Sequence, residues 1–521
     1  MTTYKMVLGL IAATMMQASF AMDQEKELGS ITFPNSGAPI AQMDFLTGVK
    51  ALHSFQFDEA RIAFEAAQKK DPSFALAYWG QAMSDNHPLW AHQDGKAAST
   101  ALNRLAPTAA ERLMKAKTVK EKEFMTAAEV LYYSSGDKLQ RDFAYSEHMA
   151  RMHDRWPDDD EISIFYALSL LGTVRPGDQG YRRQALAASI AQSVFAKNES
   201  HPGAAHFIIH AFDDPDHAIL ALSAAKVYAG IAPAAAHALH MPSHIFLQLG
   251  QWQNVVNSNI EAYAAAVAGI KKYNLSWGRE DFHTLSWLAY ANLMLGQNDA
   301  AVQNLATAKA TAAQNGNPAR IYNGYLNMVG RHMIETGEWV KYDLADKDSA
   351  EGKNHNWVSA VGMSAAHRGD NTVAQAAIYR LAMLGDKASA EGKTYLAQQI
   401  AILQKETESV LNMSNGNMDA AVALASEAAQ MELRDMKAPS GPPVPMKPAV
   451  ELYADMLLES GQAAEAIAAY QRSLQWIPLR TPSIIGLAKA AQNSGDQDTA
   501  TEMLARLKDI PGINAAKTSI R

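Results

Sequence analysis

Apolar residues recur three and four positions apart along almost the whole chain, which is the spacing of one buried face of an α-helix. The stretch FDEARIAF at 57–64 shows this spacing, and AEAIAAY at 464–470 shows it again near the other end. Runs in which apolar and polar residues alternate, as in a half-buried β-strand, are hard to find. The pattern therefore predicts an all-α protein.

The helical pattern itself repeats with a period of about 34 residues. In residues 41–72, Gly48 and Phe64 supply the small and the bulky side chain that two close helices need, and Pro72 ends the second helix. Imperfect copies are expected in 75–200, where the pattern does not fix the register. The other copies are 282–315, 447–478 and units that begin at Pro202, Ala236, Asn323, His355 and Thr481.

This spacing resembles the tetratricopeptide repeat (TPR), a helix–turn–helix unit. A single unit cannot bury its apolar face, so the resemblance implies units stacked into an α-α solenoid, a right-handed superhelix with a concave groove. The resemblance to exported bacterial TPR proteins of unknown activity implies a fold and a compartment, and no activity. The stretches that carry it are FDEARIAFEAAQKKDP, AYWGQAMSDNHPLW, HPGAAHFIIHAFDDP and APAAAHALHMPSHIFLQLGQW.

One proline-rich stretch interrupts the rhythm of the repeats. Its sequence, APSGPPVPMKP at 438–448, has too many prolines for a helix and favours extended polyproline geometry. We interpret it as a linker or strap between the main helical-repeat solenoid, 22–437, and C-terminal repeats in 449–521.

Residues 1–21 have the pattern of a cleaved signal peptide. Lys5 precedes an apolar run at 6–16, and the small Ala21 ends a cleavage site. We therefore expect a periplasmic or secreted protein that begins near Met22. No later segment reaches 18 uninterrupted apolar residues, so we expect no membrane span.

The composition narrows the range of partners. Lys and Arg number 46 against 54 Asp and Glu, and this mildly acidic balance argues against nucleic acid as a partner. The chain has no cysteine, so it has no disulfide, no cysteine nucleophile and no lipid anchor on cysteine. No phosphate-binding loop, dinucleotide fingerprint, GxSxG elbow or HExxH motif is present.

Histidines gather between positions 201 and 244. His206 and His210 are four residues apart, and so are His240 and His244, exactly one repeat of 34 residues later. Residues four apart lie on one face of a helix, so the two pairs occupy the same face of consecutive repeats. The resemblance places this face on the concave groove. Since neighbouring helices pack about 10 Å apart, we expect the imidazoles to converge there.

Converging imidazoles with carboxylates nearby predict a divalent-metal site, and without thiolates the candidates are zinc, copper, nickel or iron. A water on such a metal would suit hydrolysis, while iron or copper would permit oxygen chemistry, so catalysis stays open. The predicted metal ligands are His206, His210, His237, His240, His244, Asp213 and Asp214. Further residues predicted to line the ligand groove are His283, Tyr290, Asn327 and Arg331.

Pro242 complicates the second histidine pair, because proline removes a hydrogen bond inside a helix. Either the helix is kinked there, or it begins at Pro242 and leaves His240 in the preceding loop. Two functions remain open. The first is an exported TPR-like protein with a histidine-rich metal site, whose groove takes a peptide, a protein or a small ligand. The alternative is a metal-free scaffold of the cell envelope that binds a peptide or protein.

Overall fold

The computed structural model describes residues 27–175, 180–508, 510 and 512. The predicted signal peptide therefore lies outside the described residues. The chain divides into two compact units. Unit 1 contains the described residues up to Asp213, with Ile219–Ile245 and Ala264–Leu275, and unit 2 contains Asp214–Ala218, Phe246–Tyr263 and the described residues from Ser276 onwards.

Unit 1 is built from helices, with one short hairpin of two strands. β1 (Asn86–His87) pairs antiparallel with β2 (His92–Gln93) across a 3-10 turn, Pro88–Trp90. The helices are α1 (Pro39–His53), α2 (Phe57–Lys70), α3 (Ala75–Met83), α4 (Gly95–Leu105), α5 (Ala109–Lys115), α6 (Val119–Tyr133), α7 (Lys138–Arg155), α8 (Asp160–Gly172), α9 (Arg182–Lys197), α10 (Pro202–Ala211), α11 (Leu222–Ile231) and α12 (Ala236–His240).

Two helices, α13 (Pro242–Gln248) and α14 (Trp252–Tyr273), contribute residues to both units, and a 3-10 turn covers Ala218–Ala221. The remaining helices belong to unit 2. They are α15 (Glu280–Met294), α16 (Asn298–Gln314), α17 (Ala319–Thr336), α18 (His355–His367), α19 (Asn371–Ala390), α20 (Thr394–Ser414), α21 (Met418–Asp435), α22 (Ala449–Glu459), α23 (Ala463–Trp476), α24 (Thr481–Ser494) and α25 (Gln497–Lys508).

Small residues let the helices of a pair close on a bulky side chain. A Cβ atom on Gly48 would lie 2.8 Å from the Phe64 ring, and one on Gly80 would lie 2.3 Å from it. In unit 2, a Cβ atom on Gly486 would lie 2.2 Å from Tyr470. Gly80 follows Phe64 in unit 1, and Gly486 follows Tyr470 in unit 2, by the same number of residues. This recurrence, together with consecutive helices that pack on each other, confirms the predicted all-α, TPR-like repeat fold.

The unit predicted to begin at Asn323 departs from the repeat. Its first helix, α17, forms, but the second does not, and residues 338–354 are irregular or in turns. The stretch DLADKDSAEGKN at 343–354 offers few apolar residues for a helix to bury. The prediction of a pair of helices in this unit is therefore wrong for the second helix.

The proline-rich stretch 438–448 is packed against unit 2. Gln248 donates to the carbonyl oxygen of Pro439 at 2.9 Å, and Arg331 donates to that of Pro443 at 2.6 Å. Met446 is buried. The stretch thus lies as a strap along unit 2. None of the described helices combines the length and the apolar character needed to cross a membrane.

Candidate metal centre

Helix α10 carries the first histidine pair. Its N-cap is His201, whose Nδ1 accepts a hydrogen bond from the backbone N–H of Ala204 at 3.2 Å, and Pro202 occupies the first turn, where its missing N–H costs nothing. His206 and His210 follow one turn apart, with ring centroids separated by 4.6 Å. The helix therefore presents both rings on one side, as the sequence predicts.

The second pair straddles a break between two helices. Helix α12 ends at His240 and α13 begins at Pro242, so the chain takes the second of the two conformations expected at this proline. His240 nevertheless stays at the end of a helix instead of in a loop. The Nε2 atoms of His240 and His244 lie 3.1 Å apart, so the interruption does not separate the pair.

His237 connects the two pairs. Its ring centroid lies 5.1 Å from that of His206 and 6.2 Å from those of both His210 and His240. The ring of His210 is also 6.4 Å from that of His244. The five predicted histidines therefore form one contiguous group in unit 1, which we call the histidine cluster (His206, His210, His237, His240 and His244).

Three members of the cluster meet the geometric requirement for a shared ion. His206, His210 and His237 each offer a ring nitrogen, and these nitrogens all lie within 4.8 Å of one another. Nδ1 of His206 donates to the carbonyl oxygen of His53 at 2.6 Å, which leaves the lone pair on Nε2. The Nε2 atoms of His206 and His210 are buried and have no hydrogen-bond partner among the described residues.

Of the two predicted carboxylate ligands, Asp213 reaches the cluster. Nδ1 of His244 lies 2.7 Å from Oδ2 of Asp213, an arrangement that orients the ring and leaves Nε2 as the acceptor. Asp214 instead accepts from Nδ1 of His217 at 2.8 Å, within its own turn. Asp213 therefore orients a histidine of the cluster.

The cluster is more enclosed than the sequence predicted. The sequence placed these rings on an open groove, but His206 and His240 are 0% exposed and His237 is 6% exposed. The cover is Phe55, whose ring centroid lies 4.4 Å from His206 and 5.5 Å from both His210 and His237. Phe55 has a φ angle of 54°, a left-handed conformation that is uncommon for an aromatic residue. No pattern in the sequence predicts this contact.

Burial keeps the inner histidines neutral. Burial, and then the neighbouring His210 and His237, lowers the pKa of His206 well below its usual value. Burial, and then His237 and His244, lowers the pKa of His210 in the same way. Neutral imidazole is the form that binds metal ions, so both rings are ready to act as ligands.

A buried carboxylate that the sequence analysis missed supports His206 from behind. Oε2 of Glu161 lies 2.8 Å from Nε2 of His53, and Oε1 lies 3.4 Å from Nε2 of His201. Burial acts to raise the pKa of Glu161, but the two histidines outweigh it and lower the pKa to about 2. Since Nδ1 of His201 is an acceptor, its Nε2 carries the proton and faces Oε1 of Glu161. Glu161 therefore supports His53 through a hydrogen bond and contacts His201 at the start of α10.

The residues predicted to line the ligand groove lie in unit 2, and three of them bond within the chain. Tyr290 is fully buried and accepts from Arg480 at 3.2 Å, and Arg331 binds the proline-rich strap. Asn327 accepts from Asn354 at 2.9 Å, and the exposed His283 has its ring 5.8 Å from Trp287. This corrects the prediction for Tyr290 and Arg331, whose polar groups serve the packing of unit 2.

The packing of unit 2 depends on a buried ion network around Arg480. Its guanidinium donates to Glu335 at 2.7 and 2.9 Å and to Glu451 at 2.8 and 3.0 Å. Lys447 lies 2.8 Å from Glu451 as well. Tyr290, a predicted groove residue, bonds to Arg480 of this network, so its polar group is engaged inside unit 2.

The chain has distant similarity to several proteins of known structure. No protein-family model matches the chain, and no curated protein is significantly similar to it in sequence. Similar solved structures include yeast Tom70 (11% identity, TM-score 0.33, 92% of both chains covered) and the P58(IPK) TPR domain (14%, 0.23, 88% of this chain and 99% of that one). A STAND protein with a TPR sensor from Pyrococcus horikoshii is similar over 93% of this chain and 91% of its own (11%, 0.26). Similarity this distant carries no conclusion about the family or the ligands of this chain.

Proposed function

We propose that the protein holds one divalent transition-metal ion in unit 1, bound by His206, His210 and His237. The observation that carries this proposal is the fixed tautomer of His206. Its Nδ1 is committed to the carbonyl oxygen of His53, which leaves the lone pair on Nε2, and ring nitrogens of His206, His210 and His237 lie within 4.8 Å of one another.

The energetics of burial support an ion in this position. A buried polar atom without a hydrogen bond costs about 1–3 kcal/mol, and the Nε2 atoms of His206 and His210 both lack a partner among the described residues. A bound ion would satisfy both lone pairs at once. Water is the competing occupant, and the metal content of the purified protein separates the two.

The donor set limits the choice of ion. Three imidazoles without thiolate suit zinc, copper(II), nickel or iron(II). Three protein ligands leave a fourth position for water, whose pKa the ion would lower. His244, oriented by Asp213 and with its ring centroid 6.4 Å from that of His210, supplies a hydrogen-bonding group beside the site. This arrangement supports hydrolytic chemistry as one use of the ion.

A metal-free scaffold is the second candidate function, and one observation favours it. Ser243 lies 3.4 Å from Nδ1 of His240, whose Nε2 faces Nε2 of His244, which in turn is bonded to Asp213. This row of hydrogen bonds needs no ion. The TPR-like helical-repeat scaffold supports a protein-binding role, because stacked helix pairs offer extended surfaces for peptides and proteins.

Metal analysis of protein purified without a histidine tag tests the proposal. The wild type should contain one transition-metal ion per chain by mass spectrometry, and His206→Ala and His210→Gln should each lose it. The matched control is His153→Ala, because His153 also lies on a helix but bonds to Ser163 outside the histidine cluster. Circular dichroism shows whether each variant remains folded.

The outcomes are distinct. Metal lost from both cluster variants and kept by the control supports the proposal. Wild-type protein that stays metal-free after incubation with each of the four ions overturns it and leaves the scaffold function. Metal that persists in folded His206→Ala and His210→Gln also overturns it, since the ion then lies elsewhere.

We also propose that the protein is exported to the periplasm or secreted. The support is the predicted signal peptide at 1–21 and the absence of cysteine from the sequence. N-terminal sequencing of the mature protein from the producing cell should begin at Met22. A mature chain that keeps its first 21 residues and remains in the cytoplasm would contradict export.

A further inference from the structure

A pocket in unit 1 lies next to the histidine cluster. It lies between α1, α7, α8 and the β1–β2 hairpin and is partly open to solvent. Most of its wall is apolar and comes from Leu52, Phe55, Phe57, Met83, Phe165 and Leu168.

Phe55 is the wall shared by the pocket and the cluster. One side of its ring lines the pocket, and the ring centroid is 4.4 Å from that of His206. A molecule in the pocket that touches Phe55 is therefore separated from the cluster by a single aromatic ring. The left-handed backbone at Phe55 holds the ring in this position at an energetic cost.

Tyr145 is one polar group of the wall that can still form a hydrogen bond; another lining residue, Asn86, accepts from Gln93 at 3.4 Å through Oδ1. Two other polar lining residues are occupied, because Asp142 accepts from Lys138 at 2.8 Å and Ser169 donates to the carbonyl oxygen of Tyr166 at 2.7 Å. The hydroxyl of Tyr145, on a residue only 5% exposed, has no hydrogen-bond partner in the part of the chain that the structure describes. A ligand in the pocket can supply the hydrogen bond that this hydroxyl does not make within the protein.

We propose that this pocket binds a small, uncharged, mostly apolar molecule with one hydroxyl-type group, which hydrogen-bonds to Tyr145 while its apolar body packs on Phe55. The apolar wall supplies the affinity, and Tyr145 supplies the orientation. A charged ligand is disfavoured, because the charges in the wall are already paired within the protein. That the bound molecule is the substrate of the metal site rests on the proposed function, whereas the binding itself does not.

Binding of p-cresol and toluene by metal-free protein tests the pocket. The two probes share a size and an apolar body, but only p-cresol carries a hydroxyl. Calorimetric titration should show p-cresol binding at one site per chain and more tightly than toluene. Tyr145→Phe should weaken p-cresol by about 2–12-fold, the range expected for one neutral hydrogen bond, and leave toluene within twofold. Tyr166→Phe is the matched control, because Tyr166 is not among the pocket residues.

A second variant tests the location. Leu168→Trp fills the pocket and should abolish binding of both probes. If that variant fails to fold, the comparison of Tyr145→Phe with Tyr166→Phe still decides the question. Wild-type protein that binds neither probe overturns the proposal, and so does equal weakening of p-cresol by both tyrosine variants.

The link to the metal has its own readout. In cobalt-loaded protein, p-cresol at a saturating concentration should shift the visible absorption of the cobalt ion. An unchanged spectrum with p-cresol bound removes the substrate role but leaves the pocket. Protein that binds no metal yet binds p-cresol through Tyr145 contradicts the proposed metal function and supports the pocket, so the two failures are distinguishable.

Discussion

Nδ1 of His206 lies 2.6 Å from the backbone carbonyl oxygen of His53, a residue 153 positions earlier in the chain. The contact fixes which nitrogen of His206 carries the proton. The side chain of His53 is in turn bonded to Glu161, which also contacts His201 at the start of α10. One buried carboxylate therefore holds both the carbonyl group that orients His206 and the helix that carries it.

Glu161→Gln should weaken metal binding without touching a ligand. Glutamine keeps the size of the side chain but removes the charge that faces both histidines. Outer partners of metal ligands typically contribute 10–100-fold in affinity, and we expect a loss in that range. Competition with a chromophoric chelator measures it. The control is Glu123→Gln, because Glu123 also faces a histidine, His148 at 3.3 Å, but is partly exposed and outside the cluster. Equal affinity in Glu161→Gln and the wild type would refute the supporting role.

Arg480→Met should destabilise unit 2. The substitution leaves Glu335 and Glu451 buried without their shared cation, and breaking such a buried pair typically costs about 3–5 kcal/mol. Urea unfolding followed by tryptophan fluorescence measures the loss. Arg472→Met is the control, because the exposed Arg472 bonds only to the nearby Gln475, and it should change stability by less than about 1 kcal/mol. Similar stability in the two variants would contradict the account of the network.

Glu432 should make the stability of unit 2 depend on pH. Burial raises the pKa of Glu432 to about 7, despite opposing hydrogen bonds from the backbone at Val450 and Ala449. In the unfolded chain this carboxyl group has a pKa of about 4.3. Between pH 4.3 and pH 7 the folded state therefore binds the proton more tightly than the unfolded state. Stability from this group is therefore complete below about pH 4 and falls as the pH rises towards 7, by on the order of 3 kcal/mol.

Glu432→Gln removes this titration and should flatten the pH profile. Unfolding free energies of the wild type and the variant, measured in urea from pH 4 to 8, should diverge as the pH rises, with the variant more stable at pH 8. Glu465→Gln, on an exposed position of α23, should keep the slope of the wild type. Parallel profiles for the wild type and Glu432→Gln would show that this carboxyl group ionises without cost.

Gly80→Ala should disturb the contact that defines the repeat. A Cβ atom there would lie 2.3 Å from the Phe64 ring, and overpacking of this kind typically costs about 1–3 kcal/mol. Adding Phe64→Leu should restore part of the loss, because the smaller side chain leaves room. Gly95→Ala, where a Cβ atom meets nothing within 4 Å, is the control. Thermal unfolding compares them, and a Gly80→Ala protein as stable as Gly95→Ala would disprove the close contact.

The repeat could be predicted from the sequence because the features that determine it are local. The apolar spacing sets each helix, and a small residue beside an aromatic one, as in Gly80 and Phe64, sets the pairing of helices. The exception is 338–354, where a unit begins normally at α17 and then lacks the apolar residues for its second helix. For this segment, the 34-residue spacing alone predicted a second helix, but the segment has too few apolar residues to form one.

The histidine cluster could be predicted from the sequence only in part. The spacing within each pair and the repeat between pairs are sequence properties, so the grouping of His206, His210, His240 and His244 could be predicted. The role of Glu161 and the cover provided by Phe55 could not. These contacts join residues more than 100 positions apart, such as His53 and Glu161, and no local pattern encodes them.

Anomalous diffraction from crystals of untagged protein, recorded at the absorption edge of the metal found by mass spectrometry, tests the central claim most directly. The account predicts one strong peak in unit 1, about 2.0–2.1 Å from a ring nitrogen of each of His206, His210 and His237 if the ion is zinc. A map without a peak among these three rings, in crystals soaked with the ion, would contradict it.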